Sequence, residues 1–164
     1  MDLLDISLIF STLSCSLLTG FIFTYAIVVM PGLSNLKDKE FIRAFQVTDA
    51  VIQNNQPLFM LTWVGSIVSL LSTILISIVG VGLSEAWLIV LMSVFYLLGV
   101  QGITIAIHIP LNNHIQNIDV DKLDDQTLSK ERIRFETRWV SFNKLRTGIG
   151  VMVTLLYLLV LIIR

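Results

Sequence analysis

Four apolar stretches, each about as long as the roughly twenty residues a bilayer crossing requires, constrain this chain more than any other feature. They run from about Ile6 to Met30, Leu58 to Gly82, Ala86 to Ile109 and Thr147 to Ile163. A water-soluble domain has no use for one such run, let alone four. Only 14% of the 164 residues are charged and 55% are hydrophobic, against roughly a quarter charged in soluble domains. The mean hydropathy is +0.84. We therefore expect an all-α membrane protein, a single domain over residues 1–164, with four transmembrane helices in an antiparallel bundle. The first run is expected to be retained as a span, because Met-Asp-Leu-Leu-Asp ahead of it has no basic residue of the kind a signal peptide needs.

The connections differ sharply in length. Only Ser84 and Glu85 break the chain between spans two and three, which makes these two antiparallel neighbours. Between spans one and two, residues 37–56 read as an amphipathic helix, with Phe41, Ala44, Phe45, Val47, Val51 and Ile52 on one side and Arg43, Gln46, Asp49 and Gln53 on the other. Met30-Pro31-Gly32 is expected to stop the first helix, and Pro110 to bend or end the third. Asp119 to Ser129 reads as a solvated linker, after which a helix starting near Lys130 extends span four on the cytoplasmic side. Ser7, Ser11 and Ser14 in span one and Thr62, Ser66, Ser69, Thr73 and Ser77 in span two form small-residue stripes suited to close helix packing. The single cysteine, Cys15, reads as a small apolar packing residue.

Polar residues collect at one edge. In Arg132 to Gly150, Glu136, Trp139, Asn143, Arg146 and Gly150 share a helical face that enters the last span without interruption. Span three carries Ser93, Leu97, Gln101, Thr104 and His108 on one face, and a buried glutamine there must face protein. Tyr25, Gln46, Asp49 and Asn112 fall at the same level. A pocket at this edge would have apolar walls and a few converging polar groups, the usual form of a small-molecule site. The alternative is an ion-pair brace, with Glu136 paired to Arg132 and Arg146 facing Glu136 or Asp49.

Other chemistries find little support. His108 and His114 are six apart and face different sides of a helix, so a metal site would need one of them with Glu136 or Asp49, and no metal is expected. There is no nucleophile elbow, phosphate loop or dinucleotide fingerprint, and no broadly basic face for nucleic acid.

Val29-Met-Pro-Gly-Leu33, Ile109-Pro-Leu-Asn-Asn113 and Trp139-Val-Ser-Phe-Asn-Lys-Leu-Arg-Thr147 together resemble the anthrone-oxygenase-like family of small four-helix membrane proteins. The resemblance extends over nearly the whole chain and falls on Pro31, Gly32, Pro110, Asn112, Trp139, Asn143 and Arg146. It implies a four-helix bundle and, in some members, cofactor-independent oxygenation of an activated polycyclic phenol to a quinone. On that reading His108 or Glu136 is the base and Arg146 and Asn143 receive an oxyanion. Trp139 and Tyr25 form aromatic walls, while Gln46, Asp49, Gln101 and Asn112 contact substrate. The partners are then the lipid bilayer and a lipophilic aromatic or quinone-like small molecule, with a homo-oligomer left open. The competing function is non-catalytic: a bundle that binds a lipid or small molecule, or a structural partner in a membrane complex.

Every Lys and Arg except Arg164 lies in the connection between spans one and two or in that between spans three and four. The positive-inside rule places both connections in the cytoplasm and both termini outside, in a multi-pass protein of the plasma membrane. Reporter fusions after Asn55 and Asp125 are expected to report cytoplasm, and fusions after Ser84 and Arg164 the opposite side. A reporter at Asp125 that faces outward would reverse the orientation.

Overall fold

The computed structural model describes residues 2–164, and the described residues are all helical or in short connections. Five helices follow in order: α1 (Leu3–Leu33), α2 (Asp38–Gln53), α3 (Pro57–Val81), α4 (Leu83–Gln116) and α5 (Asp125–Ile163). All but α2 are long and apolar enough to cross a membrane. This is the expected all-α membrane architecture. The four long helices close a ring in which α1 packs on α3 and α5, and α4 packs on the same two.

Local chemistry sets the helix ends. Asp2 and Asp5 exchange hydrogen bonds across the first turn of α1, the Asp2 carboxylate accepting from the Asp5 N–H at 2.8 Å and the Asp5 carboxylate from the Asp2 N–H at 3.0 Å. Gln56 caps α3 through its side-chain oxygen, with Pro57 in the first turn where its missing N–H costs nothing. Gly82 alone joins α3 to α4, at φ +82°, a conformation that favours glycine. Ser84 and Glu85, expected as a break, instead lie in the first turn of α4. The last helix starts at Asp125, capped by Asp124, which shortens the expected linker.

The two prolines do not end their helices. Ahead of Pro31, residues Tyr25–Val29 form a wide π-type turn in which the Met30 N–H reaches back to the Tyr25 carbonyl. Ahead of Pro110, Thr104–His108 do the same, with the Ile109 N–H reaching Thr104. The widened turn makes room for the pyrrolidine ring and leaves no regular bond for the missing N–H to break. A further wide turn covers Leu97–Gly102.

Hydroxyls bind the spans together inside the membrane-facing bundle. Ser11 meets Thr73 at 2.9 Å, Ser14 meets Ser69 at 3.0 Å, and Thr73 donates to the Ser7 carbonyl at 3.1 Å. Tyr96 hydroxyl bonds Thr19 and the Cys15 carbonyl, and Ser93 bonds Tyr157. Around these sits one core, with Leu8, Cys15, Leu70, Tyr96, Val153 and Tyr157 fully buried. A second core lies beyond it, where Phe41, Ile42 and Phe45 of α2 pack on Ile115, Phe135 and Trp139.

The helical wheel of α2 needs correction. Val47 and Val51, expected on the packed side, are 66% and 55% exposed, whereas Asp49, expected on the polar side, is only 3% exposed. The packed stripe is Phe41, Ile42, Phe45 and Asp49, spaced for one face. On the outer flank Arg43 and Lys39 both reach Asp121, at 2.6 and 2.9 Å, clasping α2 to the α4–α5 loop. The Lys39 hydrogen bond, with the nearby Arg43 charge, holds the Asp121 carboxyl below its ordinary value. This small contribution is present above the usual carboxylate range and lost as pH falls through the lowered value.

Gly150 sets the spacing of α1 and α5: a Cβ there would lie 2.6 Å from Thr19 Oγ1 and 3.0 Å from its methyl carbon. Thr19 is stiff and bonded to Tyr96, so it cannot swing aside. Gly148, two residues earlier, faces open space. Gly150→Ala is expected to destabilise the detergent-solubilised protein by about 1–3 kcal/mol through overpacking, while Gly148→Ala leaves the melting temperature unchanged or raises it. Equal melting temperatures for the two variants would show that α1 and α5 do not rely on this contact.

Candidate functional site

Where the two cores meet, the helices leave a half-open cavity of about 230 Å³. Leu18, Phe21 and Ile22 of α1 and Phe59, Met60 and Trp63 of α3 form its apolar wall. The opposite wall is mixed: Tyr25, Phe45, Asp49, Thr104, His108, Asn112, Trp139 and Arg146. Two of the wide turns open onto it, and they carry Tyr25, Thr104 and His108. An inserted residue shifts the helix face that follows it, so positions read as one stripe along α4 diverge. Gln101 thus donates to Ser66 of α3 at 2.7 Å, whereas Thr104 and His108 turn towards α5.

Arg146 is the most unusual group here. It is 6% exposed. Its Nε donates to Asn143 Oδ1 at 3.0 Å, one terminal nitrogen donates to Thr104 Oγ1 at 2.8 Å, and the guanidinium lies 5.7 Å from the centre of the Trp139 ring. Among the described residues no carboxylate lies within ion-pair distance. The expected partners are engaged elsewhere. Glu136 pairs with Arg132 at 3.0 Å, and the same arginine reaches Asp38 and the Ser34 and Leu36 carbonyls. Asp49 accepts from three amides, Asn112 at 2.7 Å, Gln53 at 3.0 Å and Gln116 at 3.1 Å, and likewise has no cation beside it.

Asn112 joins the acid to the aromatic wall. Its Nδ2 donates to Asp49, and its Oδ1 accepts from the Trp139 indole N–H at 2.9 Å. Trp139 in turn stands edge-on to His108, with ring centres 5.0 Å apart, and 5.7 Å from the centre of Tyr25. His108 Nδ1 makes a long 3.5 Å contact with the Ile103 carbonyl, while Nε2 is buried with no partner. A carbonyl can only accept, so this contact favours the proton on Nδ1 and leaves Nε2 its lone pair.

Six of the ten residues singled out from the sequence therefore line one cavity: Tyr25, Asp49, His108, Asn112, Trp139 and Arg146. Asn143 stands just behind, donating to the Ile22 carbonyl at 3.1 Å while holding Arg146. Gln101 belongs to the α3–α4 contact. Gln46 spends both amide hydrogens on the Ile115 and Ile118 carbonyls, on another flank of α2. Glu136 is outside the cavity, so it does not share a site with His108. The apolar wall was missed. Counting back from the buried Ser66 by three residues reaches Trp63, and by a further four reaches Phe59, so the helical spacing of that stripe could have found them.

The family model described as "Anthrone oxygenase" matches residues 51–156, well over half of the chain. No curated protein and no solved structure matches it. The matched region covers α3, α4 and most of α5, and with them His108, Asn112, Trp139 and Arg146; this membrane protein belongs to the anthrone oxygenase family.

Proposed function

We propose that the cavity binds a lipophilic hydroxylated aromatic and oxygenates it with O2, without a cofactor, at the cytoplasmic edge of the membrane. The observation that carries this reading is that an acid-free guanidinium, Arg146, and a histidine whose buried Nε2 has no hydrogen-bond partner, His108, both line one aromatic-walled cavity. Apart from the family it does not depend on any single motif.

For an anthrone-type substrate the balance is simple. One methylene carbon loses two hydrogens and gains one oxygen atom, and the second atom of O2 leaves as water. His108 Nε2 takes the first proton from the methylene carbon, and the electron pair moves to the ring oxygen. Arg146 receives that oxyanion through donors not consumed by Asn143 and Thr104. The electron-rich carbon passes an electron to O2 and then joins it, and His108 returns its proton to the peroxide so formed. Removal of the remaining C–H proton breaks the O–O bond; the departing hydroxide takes that proton and leaves as water. Tyr25, Trp139 and Phe59 bound the ring, and the Asn112 bond fixes the Trp139 plane. The protein thus supplies base, oxyanion partner and a water-poor site, while the redox chemistry is between substrate and oxygen.

Oxygen uptake by purified protein in detergent, above the spontaneous rate and with and without a chelator, tests this. His108→Gln is expected to lower turnover by about 10²–10⁴ and to leave folding intact. Glu136→Gln is expected to keep most activity, since that carboxylate pairs with Arg132 away from the cavity. No uptake above background across a panel of autoxidisable phenols would favour a binding protein instead.

Arg146→Met separates a catalytic guanidinium from a structural brace. A brace leaves an unpaired charge when cut, which costs about 3–5 kcal/mol when buried. Arg146 has no carboxylate to strand, so the variant is expected to melt at the same temperature or higher while losing about 10²–10³ in turnover. A large drop in melting temperature with residual turnover intact would overturn the oxyanion role.

A further inference from the structure

A second concavity lies between α4 and α5 and shares no lining residue with the cavity just described. Its floor is apolar, formed by Ala106, Ile107, Pro110 and Leu111 of α4 with Phe135 of α5, and it encloses about 290 Å³. Arg134 and Arg138 form its rim from α5. These two arginines are exposed and, among the described residues, make no ion pair and no side-chain hydrogen bond. Their neighbours differ. Arg132 holds Asp38 and Glu136, Arg43 and Lys39 share Asp121, and Arg164 spans Asp2 and Asp5.

The spacing adds to the contrast. Arg134 and Arg138 are four apart, so they lie on one helix face, and Lys130 continues the same line one turn earlier. Like charges at this spacing repel and weaken a helix unless an anion sits between them. His114 of α4 also lines the groove, and its Nε2 meets the Glu131 carboxylate at 2.6 Å, so that acid is engaged by the histidine. The floor descends from the arginines towards the exposed Ile105 and Ala106, on the membrane-spanning part of α4. A basic rim at the water boundary above an apolar groove that runs into the bilayer matches an anionic amphiphile in both parts.

We propose that this groove is a binding site for an anionic phospholipid, with its phosphate between Arg134 and Arg138 and an acyl chain along Ala106, Ile107 and Pro110. Guanidinium groups hold phosphate with two parallel N–H donors, and two of them can share one headgroup. Basic pockets between spans at the membrane edge recognise lipid headgroups through these same forces. The site is separate from the Arg146 cavity and does not depend on its chemistry.

The test is native mass spectrometry of the full-length protein in mild detergent, titrated with phosphatidylglycerol or phosphatidylcholine of the same chain length. Phosphatidylglycerol is expected to bind more tightly, and R134Q/R138Q to weaken it by about thirtyfold, roughly fivefold for each basic side chain. Ala106→Phe fills the floor and keeps both charges. It is expected to weaken phosphatidylglycerol as well, which attraction to a merely charged surface would not show. Lys144→Gln, which removes an exposed charge away from the groove, should have no effect. Melting temperatures without added lipid check that the exposed substitutions leave the fold intact. Equal affinity for the two lipids, an unchanged preference in R134Q/R138Q or in Ala106→Phe, or displacement of the lipid by millimolar inorganic phosphate would each overturn the site.

Discussion

A guanidinium with no acid beside it, deep in a helix bundle, is the constraint around which this structure is arranged. Burying such a charge is expensive in protein and more so at membrane depth. Arg146 is sustained by dipoles and a ring face: the Asn143 side-chain Oδ1, the Thr104 hydroxyl and Trp139. Each of these is itself held. Asn143 is bonded to the Ile22 carbonyl, Thr104 to Val100, and Trp139 to Asn112. α1, α4 and α5 therefore meet at one cation. Neutral partners stabilise the charge without cancelling it, so its field remains available to an anion in the cavity.

The same logic governs the acid on that cavity wall. Asp49 receives hydrogens from amides of α2 and α4 and, among the described residues, has no cation beside it. An Arg146–Asp49 ion pair would have satisfied both at once and closed the space between them. Held on separate polar supports, both side chains line the one cavity.

The number of spans, the short α3–α4 connection and the hydroxyl packing were legible in the sequence because each rests on a local rule. Bilayer thickness sets the run length, one glycine is enough for a tight turn, and small polar residues let helices approach. The helix ends at Pro31 and Pro110 were not legible. Whether proline breaks a helix or is absorbed by a wide turn depends on what packs around it. The wide turns also explain why the α4 stripe dispersed: a wheel drawn at regular pitch cannot carry Gln101 and His108 to different neighbours. On α2, Asp49 was assigned to the polar side by its chemistry. Its burial is decided by Asn112, Gln53 and Gln116, two of them some sixty residues away. The edge where the cavity lies was readable from Trp139 and Arg146; of the two carboxylates expected there, Asp49 lines the cavity and Glu136 pairs with Arg132, as the brace alternative had it.

α5 runs without a break through both cores. Its 39 residues span about 58 Å at the usual rise. Phe135 belongs to the outer core and Tyr157 to the inner one, with Trp139 and Arg146 between them. The bundle and its cap thus share one rigid spine, and the cavity sits at the joint. The tightest approach of this spine to α1 is the Gly150–Thr19 contact, where no side chain larger than a hydrogen fits. Arg146 lies one helical turn from this closest approach of α1 and α5, so its distance from α1 is set by the Gly150–Thr19 contact.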